Sequence, residues 1–147
     1  MIIRATATVT GVKEMHEAVK NFIDKTEEQA NDLKCDMADV FFRAVVNRSP
    51  VKTGTFCINN RIGIGRPNLI FNQYIGRRSR ADAMARARRH LRGLTRARKM
   101  PLETPIYITN RTPYGPLLEN GWSRQAPMGI YRLAWAETKF KFAIRSR

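Results

Sequence analysis

The chain is poor in the residues that carry chemistry. Its 147 residues include two histidines, His16 and His90, and two cysteines, Cys35 and Cys57, and only four acidic residues follow Asn60. General acid–base catalysis needs clustered titratable groups, and none cluster here. Metal ligands at fixed spacing are missing, so no zinc site is expected, and the isolated cysteines read as small buried apolar residues with no disulfide framework. Gly63-Ile64-Gly65 lacks the third glycine and the following helix of a dinucleotide loop, and no phosphate-loop lysine motif occurs. Ser49 and Ser123 have no histidine in a nucleophile signature, and His16 among helix charges reads as an ordinary surface histidine. No apolar run approaches the roughly 18 to 20 residues of a membrane span, and Met1-Ile2-Ile3-Arg4 does not resemble a signal peptide. The expectation is a soluble, cytoplasmic, non-enzymatic protein with no cofactor and no small-molecule substrate.

What the chain has in excess is positive charge. There are 27 basic against 12 acidic residues. Residues 1–60 hold 8 of each, so the whole net charge of +15 lies beyond Asn60. Such segregation favours a polyanionic neighbour, whether nucleic acid, an acidic protein surface or an anionic membrane, and charge alone does not choose among them.

Hydrophobic patterning predicts the elements. Ile3, Ala5, Ala7 and Val9 alternate with polar residues, which predicts a half-buried strand over Ile2 to Thr10. From Val12 to Asn47 apolar residues recur in steps of three and four (Met15, Val19, Phe22, Thr26, Ala30, Leu33, Met37, Val40, Ala44), the stripe of a long amphipathic helix that Phe41, Phe42, Val45 and Val46 widen. Ser49-Pro50 stops it. A turn at Thr53-Gly54-Thr55 leads to a predicted strand from Thr55 to Gly65, a turn to Asn68, and a further strand from Leu69 to Ile75.

Arg77 to Lys99 then carries ten basic residues and one acid, Asp82. Met84, Ala87, Leu91 and Leu94 fall at helical spacing, a thin stripe that Gly93 weakens by about 1 kcal/mol relative to alanine. The segment is expected to be an inserted helix or arm, mobile until a partner orders it, and dispensable for folding. Its candidate contacts to DNA or an acidic partner are Arg77, Arg78, Arg80, Arg86, Arg88, Arg89, Arg92, Arg96, Arg98 and Lys99. Ile106 to Thr109 reads as a strand and Met128 to Ile144 as a closing helix. The order places the chain in the α+β class: a small antiparallel sheet packed by a long N-terminal and a C-terminal helix, one domain over residues 1–147 with a basic insertion at 77–99.

Two pieces resemble a known family. Ser49-Pro50-Val51-Lys52-Thr53-Gly54 after a long helix, then a strand and Gly63-Ile64-Gly65-Arg66-Pro67, is the first. The second is Ile106-Tyr107-Ile108-Thr109-Asn110, Pro113-Tyr114, Leu118 to Pro127 and Gly129. Together they resemble the tail-completion or neck (head–tail joining) proteins of long-tailed bacteriophages, the tail component family typified by gene product ten of the phage HK97. Lys52 departs from the acidic residue usual at that position, and the arginine-rich segment lies outside the resemblance.

The resemblance implies a structural subunit of the virion neck, assembled in the host cytoplasm. It implies a homo-oligomeric ring, six copies first and twelve second, between tail terminator or tube proteins and the head connector. Duplex DNA would be touched without sequence preference, through phosphates. Gly54, Tyr114, Glu119, Trp122, Gln125 and Pro127 are the candidate interface residues. The bland alternatives stay open: Gly54 serving only a turn, Tyr114 and Trp122 covering the core, Glu119 pairing with an arginine of its own chain or of the next subunit. The alternative function is a monomeric, ribosomal-type nucleic-acid-binding module using the arginine-rich arm; a small basic nuclease ranks third.

Overall fold

The computed structural model describes residues 5–73 and 79–145, with side chains from residue 15 to residue 144 within those spans. The class is α+β. A 44-residue helix α1 (Ala5–Arg48) is followed by a one-turn helix α2 (Thr55–Ile58) and strand β1 (Arg61–Ile64). Next come α3 (Arg80–Arg88), a 3₁₀ turn (Arg89–Leu91) and α4 (Arg92–Ala97), one nearly continuous helical path. Strand β2 (Ile106–Thr109), short helix α5 (Gly115–Glu119) and α6 (Tyr131–Arg145) complete the chain. The sheet is a single antiparallel pair, with Arg61 opposite Thr109 and Ile64 opposite Ile106.

The C-terminal half of α1 is the spine. One face of it, Ala38, Phe42 and Val46, packs with Cys57, Ile62, Ala83, Ala87 and Leu94. The adjoining face, Ala44 and Val45, packs with Phe56, Ala126, Ile130 and Ala134. The helix therefore separates two apolar clusters, one toward the sheet and α3–α4, the other toward α6. Phe41 meets the rings of Tyr131 and Trp135 edge-on, at 6.1 and 5.5 Å between centroids.

Three expectations are corrected. The strand from Ile2 to Thr10 is helix from Ala5 onward, residues 2–4 lying outside the described part. Once a helix is nucleated each added residue is cheap, alanine favours it, and one glycine, Gly11, costs only about 1 kcal/mol. The strand from Thr55 to Gly65 begins as α2 instead, because the side chains of Asn59 and Asn60 bond back to the carbonyls of Thr55 and Cys57 and close a helical turn. Leu69 to Gln73 is not a strand, while residues 74 and 75 of that expectation lie outside the described part. Its polar backbone is paired by side chains: Asn59 exchanges two 2.8 Å bonds with the backbone of Asn72, and Arg61 Nε donates to the Ile70 carbonyl at 2.9 Å.

The arginine-rich segment also departs from expectation. It is packed, not a mobile arm: Ala83 and Ala87 are fully buried, and Leu94 and Ala97 nearly so. Its C-terminal end is clamped by α1. Asn31 Nδ2 donates to the carbonyls of Ala97, Arg98 and Met100, and Lys34 Nζ donates to those of Leu102 and Thr104 at 2.7 Å. Asn31 thus satisfies carbonyls left free at the end of α4, and Lys34 holds the loop that follows it. Deleting this segment removes part of the core, so the expectation that the fold survives without it is withdrawn.

Candidate functional site

The two sequence pieces that carry the family resemblance lie some sixty residues apart in the chain and converge on one open groove of about 850 Å³. Pro50, Lys52, Thr53, Gly54, Thr55 and Phe56 form one wall; Pro113, Tyr114, Leu118, Trp122, Ser123, Arg124 and Gln125 form the other, with Phe71 and Gln73 at its side. Gly54 has φ 87° and supplies the carbonyl that accepts the Ile58 N–H at 3.0 Å, so it turns the chain from α1 into α2 in a conformation that disfavours side chains. Gln125 joins the walls directly, its Oε1 accepting the Val51 N–H at 2.9 Å. Tyr114 lies 6.5 Å from Phe56, tilted, and burial raises its phenol against the lowering effect of a bond with Thr55.

Beneath the groove is a buried polar knot that sequence reasoning missed. Asn60 Nδ2 donates to Ser49 Oγ at 2.9 Å and to the Cys57 carbonyl at 3.1 Å, while its Oδ1 accepts from Asn110 Nδ2 at 3.0 Å and from the Tyr131 hydroxyl at 2.8 Å. Asn110 in turn donates to the Phe56 carbonyl at 2.8 Å. Ser49 and Asn110 belong to the two recognised pieces, so one fully buried amide fixes both against α6. The only local signal was the pair Asn59-Asn60 inside the stretch read as a strand, where amides are disfavoured.

Of the six candidate interface residues, Gly54, Tyr114, Trp122 and Gln125 line this groove, and Trp122 is 76% exposed. Glu119 and Pro127 do not. Glu119 accepts the N–H groups of Ile130, Tyr131 and Arg132, each at 2.9 Å, and so caps the N-terminus of α6. Partial burial works to raise its pKa, but those three bonds and the Arg132 charge outweigh it and hold the carboxyl below its ordinary value. Gly129, at φ 88°, is what lets the carboxylate reach: a Cβ there would lie 2.6 Å from the Glu119 carbonyl oxygen and 2.9 Å from Oε1. Pro127 closes the loop from Gly121. Glu119 therefore serves the N-terminus of α6 in its own chain, while Pro127 is exposed beside Gly121, and neither lines the groove.

The basic candidates divide as well. Arg77 and Arg78 lie outside the described residues. Arg98 is paired with Asp32, at 3.0 Å, and with Asp36 on α1, and Arg86 with Asp82 at 3.3 Å. Arg80 donates to the Asn47 carbonyl and Arg88 to its side-chain oxygen at 3.0 Å. Arg89, Arg92, Arg96 and Lys99 are exposed and hold no ion pair or hydrogen bond to another described side chain. Arg89 opens the 3₁₀ turn, Arg92 and Arg96 lie on α4 and Lys99 in the turn that follows it, at offsets of three, four and three residues along the path. These four form the free cationic stripe.

Behind it, His90 stacks edge-on to Phe42 at 6.5 Å, and its Nε2 is 3.3 Å from the guanidinium of buried Arg61. Burial first, then the Arg61 charge, lowers its pKa. Both cysteines are buried and free, and burial pushes the Cys57 thiol up to about 11. Among the described residues no three His, Cys, Asp or Glu side chains gather as a metal site would require, and no helix is long and apolar enough to cross a membrane. No family model, curated protein or solved structure matches the chain.

Proposed function

We propose that the chain is a structural subunit of a long-tailed phage neck, forming a ring that completes the tail or joins it to the head connector around the DNA channel. What carries the reading is the convergence of the two resembling pieces on one groove, tied by the bond from Val51 N–H to Gln125 and underlain by Asn60. Residues so far apart in sequence and so closely bonded in space belong to one working surface, and an aromatic, partly apolar groove suits docking. A ring requires a head-to-tail contact that closes on itself, with six copies favoured and twelve second. The free stripe of Arg89, Arg92, Arg96 and Lys99 supplies the polyanion contact, to phosphates and without sequence preference. In this reading the protein resides in the virion neck after assembly in the host cytoplasm, beside tail terminator, tube and connector proteins.

The same stripe also favours the second reading, a monomeric nucleic-acid-binding module. Negative-stain imaging and light scattering of the chain, alone and mixed with neighbouring tail and connector proteins, separate the two. Rings or ring-capped partners are expected. Monomer in every mixture, together with tight binding to a short duplex, would replace the first reading by the second.

A further inference from the structure

Among the described residues, positions 15–29 of α1 pack against no other element. Every residue from 15 to 29 is exposed, and Met15, Val19, Phe22 and Ile23 are 62, 51, 70 and 48% exposed. Their offsets of four, three and one gather them on one face, the pattern by which an amphipathic helix anchors in a groove. Helices owe most of their stability to packing of such a face, and an apolar stripe left in water marks an interaction surface.

The same stretch is acidic in a chain of net charge +15: residues 15–29 hold Glu17, Asp24, Glu27 and Glu28 against Lys20 and Lys25. The groove between Gly54 and Trp122 is its complement. Phe56, Phe71, Tyr114, Leu118 and Trp122 give it an apolar part, it carries Lys52 and Arg124, and among the described residues no carboxylate lines it. The helix cannot reach the groove of its own chain. Groove residues Pro50 to Thr55 directly follow the C-terminal end of α1, and Phe22 stands 26 residues before Arg48, about 39 Å along a rigid helix.

We infer that the exposed acidic half of α1 docks, through Val19, Phe22 and Ile23, into the Tyr114–Trp122 groove of a second copy of this chain. Passed on from copy to copy without reciprocal exchange, the contact is heterologous and closes a ring or grows a filament. The inference rests on the ring reading above and supplies its subunit contact; opposite charges at helix and groove fix the pairing and make it weaken with salt.

The test uses two full-length variants, Val19→Asp/Phe22→Asp and Trp122→Ala. All three positions are exposed, and circular dichroism with a cooperative melt matching the wild type's at a concentration where both are monomeric establishes that each variant folds. Sedimentation velocity is expected to show multimers for the wild type and monomers for each variant alone, with the dissociation constant raised about 30-fold or more, as for a central aromatic anchor. An equimolar mixture of the variants is expected to form a dimer and stop there, since it holds one intact helix face and one intact groove. Either variant assembling like the wild type, or a mixture that remains monomeric, overturns the inference and leaves the ring reading standing. A wild type that is monomeric alone and assembles only on a neighbouring tail component also overturns it; a wild type that assembles on nothing overturns both.

Discussion

Leu94 and the four free cations occupy the same helical path and separate two ideas of what that path is for. Leu94 is 4% exposed and packs with Phe42, Val46, Ile62, Ala83 and Ala87. Leu94→Ala removes three buried carbons, about 2.4 kcal/mol of transfer free energy at about 0.8 kcal/mol each. The residual cavity brings the total to about 3–4 kcal/mol. For a chain of this length that lowers the melting temperature by about 6–16 °C. The quadruple variant Arg89→Ala/Arg92→Ala/Arg96→Ala/Lys99→Ala touches only unpaired surface charge, and each change is expected to stay within about 0.5 kcal/mol. In duplex binding the order reverses. Removing four phosphate contacts reduces the slope of log affinity against log salt by about 3.6, whereas folded Leu94→Ala keeps it. Thermal melts and fluorescence anisotropy over a salt series read both quantities. If Leu94→Ala melts within 2 °C of the wild type while the quadruple variant unfolds, the segment is a charge-stabilised arm and its assignment to the core is wrong.

Two further outcomes follow from single side chains. Glu119→Gln leaves at least one N–H of the α6 N-terminus unpaired and removes the negative charge there, and is expected to cost about 1–2 kcal/mol at neutral pH. Because the folded carboxyl titrates below the ordinary 4.5, the wild type holds this contribution above that pH and loses it as pH falls through the folded value; a variant with an unchanged acid limb in urea midpoints refutes the cap. Burial, then the Arg61 charge, lowers the pKa of His90 in the fold, so below 6.5 the unfolded chain takes up a proton more readily than the folded chain, and stability falls as pH drops toward the folded pKa. His90→Gln is expected to flatten the urea midpoint between neutral pH and the onset of carboxylate titration; an unflattened curve places the histidine in water.

Much of the fold was legible because it rests on local signals. Ile106 to Thr109 is a strand and the closing helix starts within three residues of where its apolar spacing begins. The arginine-rich segment is helical over the span its period predicts, yet the role assigned to it was wrong, and the cause is alanine. Ala83, Ala87 and Ala97 face the core, but alanine favours helix on any face and adds little to a hydrophobic pattern, so a close-packed ridge of small residues looked like a thin stripe. The clamp at its end was invisible for another reason: Asn31 and Arg98 find their partners more than sixty residues away, beyond any local window. The long stripe on α1 failed in the opposite sense. At its C-terminal end Phe42, Ala44, Val45 and Val46 are buried as the widened stripe predicts, but ahead of them the buried positions are Asn31, Cys35 and Ala38, one to two positions off the predicted line, and residues 15–29 face water. Periodicity identifies a face and does not say whether the chain itself covers it.

The charge asymmetry sharpens under the same scrutiny. Half of the basic candidates within the described span are engaged inside the chain, and what they engage is the backbone and the few acids within reach, above all Asp32 and Asp36 on α1. The acids of α1 therefore act in two groups. Those near its middle hold the arginine-rich helix against the core, where opposite charge aids registration between two helices. Those nearer its N-terminus, from Glu17 to Glu28, pair with no other element among the described residues, alongside the exposed apolar stripe of Met15, Val19 and Phe22. A surface that is apolar and acidic in a strongly basic protein repels neither a second copy's basic groove nor its cationic stripe, whereas two stripes of arginine repel each other. Head-to-tail association is thus the arrangement in which unlike surfaces meet, and it leaves Arg89, Arg92, Arg96 and Lys99 of every copy available to a polyanion.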